Sequence, residues 1–110
     1  MDYVDQWNRN RVDWLYQLPR SGVSSAAVHV GLLFATFFQP EEREILRPGY
    51  DWIMKAAGMS RGTVAKALAE LEREGFLEID RMHRYRNEYR MPFDGDALWV
   101  RKPQNVASKF

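Results

Sequence analysis

The chain has 110 residues, of which 45% are hydrophobic and 28% are charged, a composition typical of one folded domain rather than of a disordered segment. Without cysteine it forms neither disulfides nor thiolate metal sites, and its two separate histidines cannot build a zinc site without an unusual set of carboxylates. The 16 Lys and Arg residues nearly balance the 15 Asp and Glu residues, so the net charge of +1 does not indicate a nucleic-acid partner, and the positions of the charges matter more than their sum.

The N-terminal segment predicts a helix rather than a signal peptide. The start of the chain lacks the basic and apolar regions of a secretory signal. Apolar residues over 3–18 recur at spacings of three and four until Pro19 ends the pattern. We interpret residues 1–20 as an N-terminal helix whose large side chains, including Trp7 and Trp14, either cap the core or form a two-fold interface with a second copy.

A nearly continuous apolar stretch predicts a second helix in the middle of the fold. Residues 26–38 are apolar almost all round, which is typical of a helix packed on several sides, and Ser24 or Ser25 can cap it. The stretch is shorter than the ~20 residues of a membrane-spanning helix, so we expect a cytoplasmic protein with no membrane partner. Residues 45–47 predict a very short strand.

The next segment predicts two helices joined by a short glycine turn. Helical patterns over 50–57 and 61–74 are separated at Gly58, with Ser60 as the N-cap of the second helix and Gly75 as its C-terminal stop. The core face of the second helix consists of Val64, Ala67, Leu68 and Leu71. Two helices joined in this way can cross at a steep angle, so that the second protrudes far enough to enter the major groove of DNA.

A hairpin and a tail follow. Residues 76–80 alternate as a strand does, a tight turn at 82–84 leads into a second strand over 85–91, and the resulting domain spans 24–92. Residues 93–110 form a basic tail of uncertain structure, which is a further dimer contact, a basic arm or a disordered segment.

Two stretches, Trp52–Leu71 and Gly75–Ile79, resemble the winged helix-turn-helix superfamily of DNA-binding proteins. Residues 59–77 resemble the recognition helix and first wing strand of bacterial regulators of the cyclic-AMP-receptor, GntR and MarR kinds. The strand ending Arg86–Met91 is similar to small winged-helix domains of plasmid and phage replication proteins. The resemblance covers residues 24–91 and implies an α+β winged helix-turn-helix with a helical core and a C-terminal two-stranded wing, to which this chain adds an N-terminal helix.

On the second helix of the motif, the residues outside the core face are candidates for DNA contact. Arg61 and Lys66 can reach guanine edges or phosphates, and the resemblance implies DNA contact at both positions. Ser60 and Thr63 can donate to a phosphate near the helix N-terminus, where the helix dipole favours an anion. Gly62 lets the backbone approach DNA closely, although the similar regulators often carry a base-reading polar side chain there. The alternative is that Arg61 and Lys66 are solvated helix charges.

The hairpin is rich in positive charge. Between residues 81 and 90, four arginines and one histidine stand against a single acid. Such a turn is unfavourable unless phosphates lie opposite, so we expect backbone contacts from Arg81, His83, Arg84 and Arg86. The alternative is a charged edge strand that prevents aggregation. The acids of this region are expected on the side away from DNA; they are Glu70, Glu72, Glu74, Glu78 and Asp80.

The sequence thus predicts a sequence-specific double-stranded DNA-binding protein, with a recognition helix over 60–74 in the major groove and a wing over 81–86 on the flanking backbone. Its role is that of a transcriptional repressor or of a plasmid or phage replication or maintenance factor, with a larger replication or partition complex as a possible setting. We expect a homodimer, because DNA half-sites spaced by one helical turn are commonly bound by dimers.

Two other classes of protein compete with this interpretation. An enzyme is not expected, because the sequence has no nucleophile–base pair, phosphate-cradling glycine loop or metal-ligand spacing, and neither a cofactor nor a metal is predicted. A winged-helix protein-interaction module without DNA binding is the alternative that the nearly neutral charge favours. Strongly salt-dependent retention on duplex DNA distinguishes the two.

Overall fold

The computed structural model describes residues 3–37, 47–81, 86–93 and 97–104. Within those ranges the chain forms four α-helices and a two-stranded antiparallel sheet, so it belongs to the α+β class that the sequence predicts. The elements are α1 (Tyr3–Gln17), α2 (Ser25–Phe37), α3 (Tyr50–Ala57), α4 (Arg61–Arg73), β1 (Glu78–Asp80) and β2 (Glu88–Arg90), and a 3-10 turn, Leu18–Arg20, extends α1. Over the same ranges no helix is both long enough and apolar enough to cross a membrane.

The helix boundaries follow local signals in the sequence. The α-helical pattern of α1 stops before Leu18, and Pro19 lies in the 3-10 turn that replaces it. Ser24 Oγ accepts a hydrogen bond from the Ala27 N–H at 3.2 Å and caps α2. Gly58 ends α3 with φ at 67°, in the left-handed region that favours glycine. The predicted bounds of α3 and α4 are confirmed to within one residue.

The core lies between α2, α3 and α4, and α1 closes it. The predicted core face of α4 is buried in full. Trp14 of α1 is completely buried and Trp7 nearly so, and the Trp14 indole N–H donates to the Phe76 carbonyl at 2.8 Å. Both tryptophans therefore pack inside the core of their own chain, and neither is available for a contact between two copies.

α2 packs on several sides, as the sequence predicts: it contacts α1, the 3-10 turn, α3 and α4. Its fully buried residues form one stripe of Ala27, Val30, Gly31, Phe34 and Ala35. Partly buried residues that also pack against the core flank this stripe; they are Ala26, Val28 and Leu33. Leu32 and Phe37 are exposed, so the helix is not buried all round.

The segment 97–104 lies against the core. Asn10 of α1 holds it: its side-chain amide donates to the Ala97 carbonyl, and its side-chain oxygen accepts from the Trp99 N–H, each at 3.0 Å. The Trp99 ring is buried and packs on Phe93, with ring centroids 5.7 Å apart. This part of the tail is therefore packed within the chain, and Trp99 is not available for a dimer contact.

β1 and β2 pair antiparallel over three residues each. Glu78 lies opposite Arg90, Ile79 opposite Tyr89 and Asp80 opposite Glu88. Both strands are shorter than predicted. The N–H groups of Phe76 and Leu77, which the sequence assigns to β1, bond instead to the Leu71 carbonyl at 2.8 and 3.2 Å and close the C-terminus of α4. The predicted turn at 82–84 and residues 45–46 of the predicted short strand lie outside the described residues.

Gly75 allows the end of α4 to pack closely against the segment 97–104. Its φ is +82°, and a Cβ at this position would lie 2.8–2.9 Å from backbone atoms of Lys102. We expect Gly75→Ala to lower the free energy of unfolding by about 2–4 kcal/mol, because left-handed strain adds to a clash with backbone that cannot easily move. Urea denaturation measures the change.

Gly22→Ala is the matched control for this substitution. Gly22 also has a positive φ, +86°, but nothing lies within 4 Å of its Cβ position. The control should therefore show only the conformational strain, about 1–2 kcal/mol. Equal losses of stability at the two positions would contradict the packing role of Gly75.

Candidate nucleic-acid interface

The outward face of α4 is open to solvent over its first three turns. The predicted contact residues on this helix, Ser60, Arg61, Gly62, Thr63 and Lys66, are all exposed. At Gly62 no atom lies within 4 Å of the position that a Cβ would take. The two other small residues of the face, Ala65 and Ala69, are also exposed. The backbone of α4 is therefore accessible on this face, and the side chains of Arg61 and Lys66 lie beside it.

The N-terminus of α4 is closed by a pair of hydroxyl groups. Ser60 Oγ accepts a hydrogen bond from the Thr63 N–H at 3.3 Å, and the Ser60 and Thr63 hydroxyls bond to each other at 3.0 Å. Only one of the two hydroxyl protons can serve that mutual contact. The second proton can be donated to an external acceptor at a helix end whose dipole favours an anion.

The two cations of the α4 face have different surroundings. The Arg61 guanidinium carbon lies 4.6 Å from the centroid of the Tyr50 ring, so the side chain lies over the first residue of α3. Lys66 is exposed, one turn further along α4. Within the described part of the chain, neither Arg61 nor Lys66 forms an ion pair with an acid.

The predicted wing contacts are only partly brought to the same surface. Arg86 is exposed and donates from Nη1 to the Arg47 carbonyl at 3.2 Å, and its Nε lies 3.6 Å from the Cβ position of Gly49, directly before α3. Arg86 and Arg61 are thus both next to the first turn of α3. His83 and Arg84 lie outside the described residues.

Arg81 is engaged by an acid of α4. Its Nη1 donates to both carboxylate oxygens of Glu72, each at 2.8 Å. This hydrogen bond is the main cause of the raised pKa of Arg81, and it outweighs the opposing effect of desolvation. In the free protein the positive charge of Arg81 is therefore largely compensated by the Glu72 carboxylate.

Arg47 is a charged residue of this region that sequence reasoning missed. Its Nε and Nη2 both lie within hydrogen-bond distance of Glu88 Oε2, at 2.7 and 2.6 Å. The side chain of Arg47 is 59% exposed, whereas that of Glu88 is only 6% exposed. A signal was present in the sequence, since Glu88 is the single acid in a stretch of arginines. The pair ties the segment before α3 to β2.

The acids of α4 are used in internal contacts, which agrees with their expected place away from the α4 face. Glu70 accepts from the Ser24 N–H at 2.8 Å and so joins α4 to the start of α2. Glu74 accepts from Arg101 at 3.3 Å and joins the end of α4 to the segment 97–104. Glu70 is in the second half of α4 and Glu74 directly follows its last residue, so the first half keeps its positive character.

No protein-family model, no curated protein and no solved structure matches the chain. Among the described residues, no group of three or more His, Cys, Asp or Glu side chains could hold a metal ion. The surface that α3, α4 and the hairpin form is therefore the candidate functional site.

Replacing Arg47 tests the strength of the tie between the segment before α3 and β2. Arg47→Met leaves the buried Glu88 carboxylate without this partner, and we expect the free energy of unfolding to fall by about 1–3 kcal/mol, with solvent screening at Arg47 keeping the loss below that of a fully buried pair. Chemical denaturation at neutral pH measures the change.

Arg73→Met is the control, because the Arg73–Glu74 pair is more evenly exposed, at 47% and 28%, and is longer, at 3.4 Å. The free energy of unfolding of this control should fall by less than about 1 kcal/mol. If both variants lost the same stability, burial of Glu88 would not determine the strength of the Arg47 pair.

Proposed function

We propose that the chain is a winged helix-turn-helix protein that binds double-stranded DNA with sequence preference. The observation that carries the proposal is the open first half of α4, where small residues alternate with Arg61 and Lys66 and where no described acid pairs with either cation. Such a face combines close backbone approach with donors for guanine edges and phosphates.

The order of the elements supports the same proposal. α3 and α4 are separated by the three residues 58–60, with Gly58 in a left-handed conformation and Ser60 as the cap, and short connections that contain glycine are common in helix-turn-helix motifs. The antiparallel pair β1 and β2 follows α4 in the position of a wing. In this proposal α4 enters the major groove, and the hairpin contacts the flanking backbone through Arg81, His83, Arg84 and Arg86.

The proposed biological role is that of a cytoplasmic transcriptional repressor or of a plasmid or phage replication or maintenance factor. We expect a homodimer on a site with two half-sites. Because Trp7, Trp14 and Trp99 are buried in their own chain, the contact between copies has to use other residues.

A protein-interaction module is the second candidate, and one observation favours it. Phe37 and Trp52 are both exposed and pack edge to face, with ring centroids 4.8 Å apart. An exposed aromatic pair is typical of protein contact surfaces. The two candidates are distinguished by duplex binding, because a module of this kind has no reason to bind DNA with an affinity that falls steeply with salt.

Duplex selection from a random pool, followed by fluorescence anisotropy titrations, tests the proposed function. We expect Arg61→Ala to weaken binding to the selected duplex by about 5- to 150-fold and to reduce its preference over a scrambled duplex, because a bidentate base contact contributes about 1–3 kcal/mol. Arg86→Ala should weaken binding to both duplexes equally and reduce the salt slope by about 1.

The control for these variants is Arg9→Ala, which removes an exposed charge from α1. It should leave both the affinity and the salt slope unchanged. The proposal is wrong if the wild-type protein binds no duplex above the level of an unrelated protein, or if all three variants lower the affinity equally.

The Glu72–Arg81 pair leads to a separate prediction about the wing. Glu72→Gln removes the acid that compensates Arg81, so we expect duplex affinity to rise about 2- to 5-fold, in line with the modest energy of an exposed pair, and the salt slope to increase by about 1. Anisotropy titrations at several salt concentrations measure both quantities.

Glu74→Gln makes the same charge change at the residue that directly follows α4, but Glu74 pairs with Arg73 and Arg101 rather than with the wing. We expect a clearly smaller rise in duplex affinity for Glu74→Gln than for Glu72→Gln. Equal rises in the two variants would show that only net charge matters and that Arg81 is not released toward DNA.

A further inference from the structure

Tyr50 connects the starts of the two helices α3 and α4. It is the first residue of α3, and its half-buried ring packs against the hydrophobic core. Arg61, the first residue of α4, lies over this ring at 4.6 Å. The guanidinium of Arg61 thus lies on a ring that is itself packed against the hydrophobic core.

This contact limits the freedom of Arg61 in a way that suits recognition. A long cationic side chain has about 2 kcal/mol of rotamer entropy to lose when it is fixed. A guanidinium held over an aromatic face by a cation–π contact has fewer positions open to it than a fully solvated one, and its planar fork of N–H donors is pre-organised. Lys66 makes no ring contact among the described residues, so its ammonium remains free to choose its position.

Tyr50 directly follows a segment that a residue of the hairpin contacts. Arg86 donates from Nη1 to the Arg47 carbonyl at 3.2 Å, and its Nε lies 3.6 Å from the Cβ position of Gly49. Arg61, which lies over Tyr50, and Arg86 are therefore both next to the start of α3.

We propose that Tyr50 is a positioning residue for duplex recognition and acts through Arg61, so that Arg61 presents its donor edge to one pair of acceptors at a fixed distance from the wing. The inference rests on the proposed function, since it assigns a role within the same surface. The acceptor pair is the O6 and N7 edge of a guanine or two oxygens of one phosphate. In either case the planar fork, and not the charge alone, is what the site uses.

A double-mutant cycle tests this role. Binding to the selected duplex is measured for the wild-type protein, Tyr50→Leu, Tyr50→Phe, Arg61→Ala, and Tyr50→Leu combined with Arg61→Ala. We expect Tyr50→Leu to weaken binding by about 3- to 10-fold, and Tyr50→Phe, which keeps the ring, to stay within about 2-fold of wild type. When Arg61 is already alanine, Tyr50→Leu should cause no further loss.

A residue with only a structural role would give a different pattern. Tyr50→Leu would then weaken binding by the same factor in both backgrounds, and that result would overturn the proposal. Urea denaturation of each variant shows whether the fold persists. If wild-type protein binds no duplex, the proposed function fails as well; if it binds but the cycle shows no coupling, only the role of Tyr50 is wrong.

Arg61→Lys provides a test that does not depend on the stability of the Tyr50 variants. It keeps the charge on an exposed position but removes the planar group that stacks on Tyr50. We expect it to lose most of the affinity that Arg61→Ala loses. Binding as tight as that of the wild-type protein would overturn the proposal, because a point charge would then be sufficient.

Discussion

The hydrogen bond from the Trp14 indole to the Phe76 carbonyl fixes the geometry on which the rest of the surface depends. A buried indole N–H needs an acceptor, and the acceptor here is the first carbonyl after the terminal turn of α4. Gly31 of α2 makes room for this arrangement, since a Cβ there would lie 3.3 Å from the Trp14 ring and 2.7 Å from Leu18. α1 is therefore bonded directly to the segment through which the chain leaves α4 and enters β1.

α1 also holds the segment that covers the C-terminal end of α4, so that the N-terminal half of α4 remains exposed. Asn10 holds the segment 97–104, and the Gln104 N–H donates to the Arg73 carbonyl at 2.7 Å, at the last residue of α4. The chain that follows the hairpin is thus packed against the C-terminal end of α4. The N-terminal half of α4, from Arg61 onward, keeps its exposed face, and this is the half that the helix dipole makes favourable for anions.

The parts of the fold that the sequence predicted well are governed by local chemistry. Ser60, Gly58 and Pro19 act within one turn of their own positions, so the helix boundaries could be predicted to within about a residue. The strand lengths could not, because Phe76 and Leu77 use their N–H groups to close α4. The place of Trp99 depends on Asn10, 89 residues earlier, and no periodic pattern reports such a contact. Arg81 was predicted as a site residue without its partner Glu72, which a turn in the chain brings near.

The net charge of +1 does not describe the α4 face, because the charged side chains are distributed unevenly over the chain. Glu72, Glu74 and Glu88 each form an ion pair with an arginine of the same chain, and none of these pairs involves Arg61 or Lys66. What remains on the first half of α4 is a small number of cations without acidic neighbours among the described residues. If the chain binds DNA as proposed, each phosphate neutralised changes the salt slope by about 0.9, so a surface with so few free cations would give weak non-specific attraction. Under this proposal, discrimination between sequences depends on where one planar donor group is held, and the placement of Arg61 is then more important than the total charge.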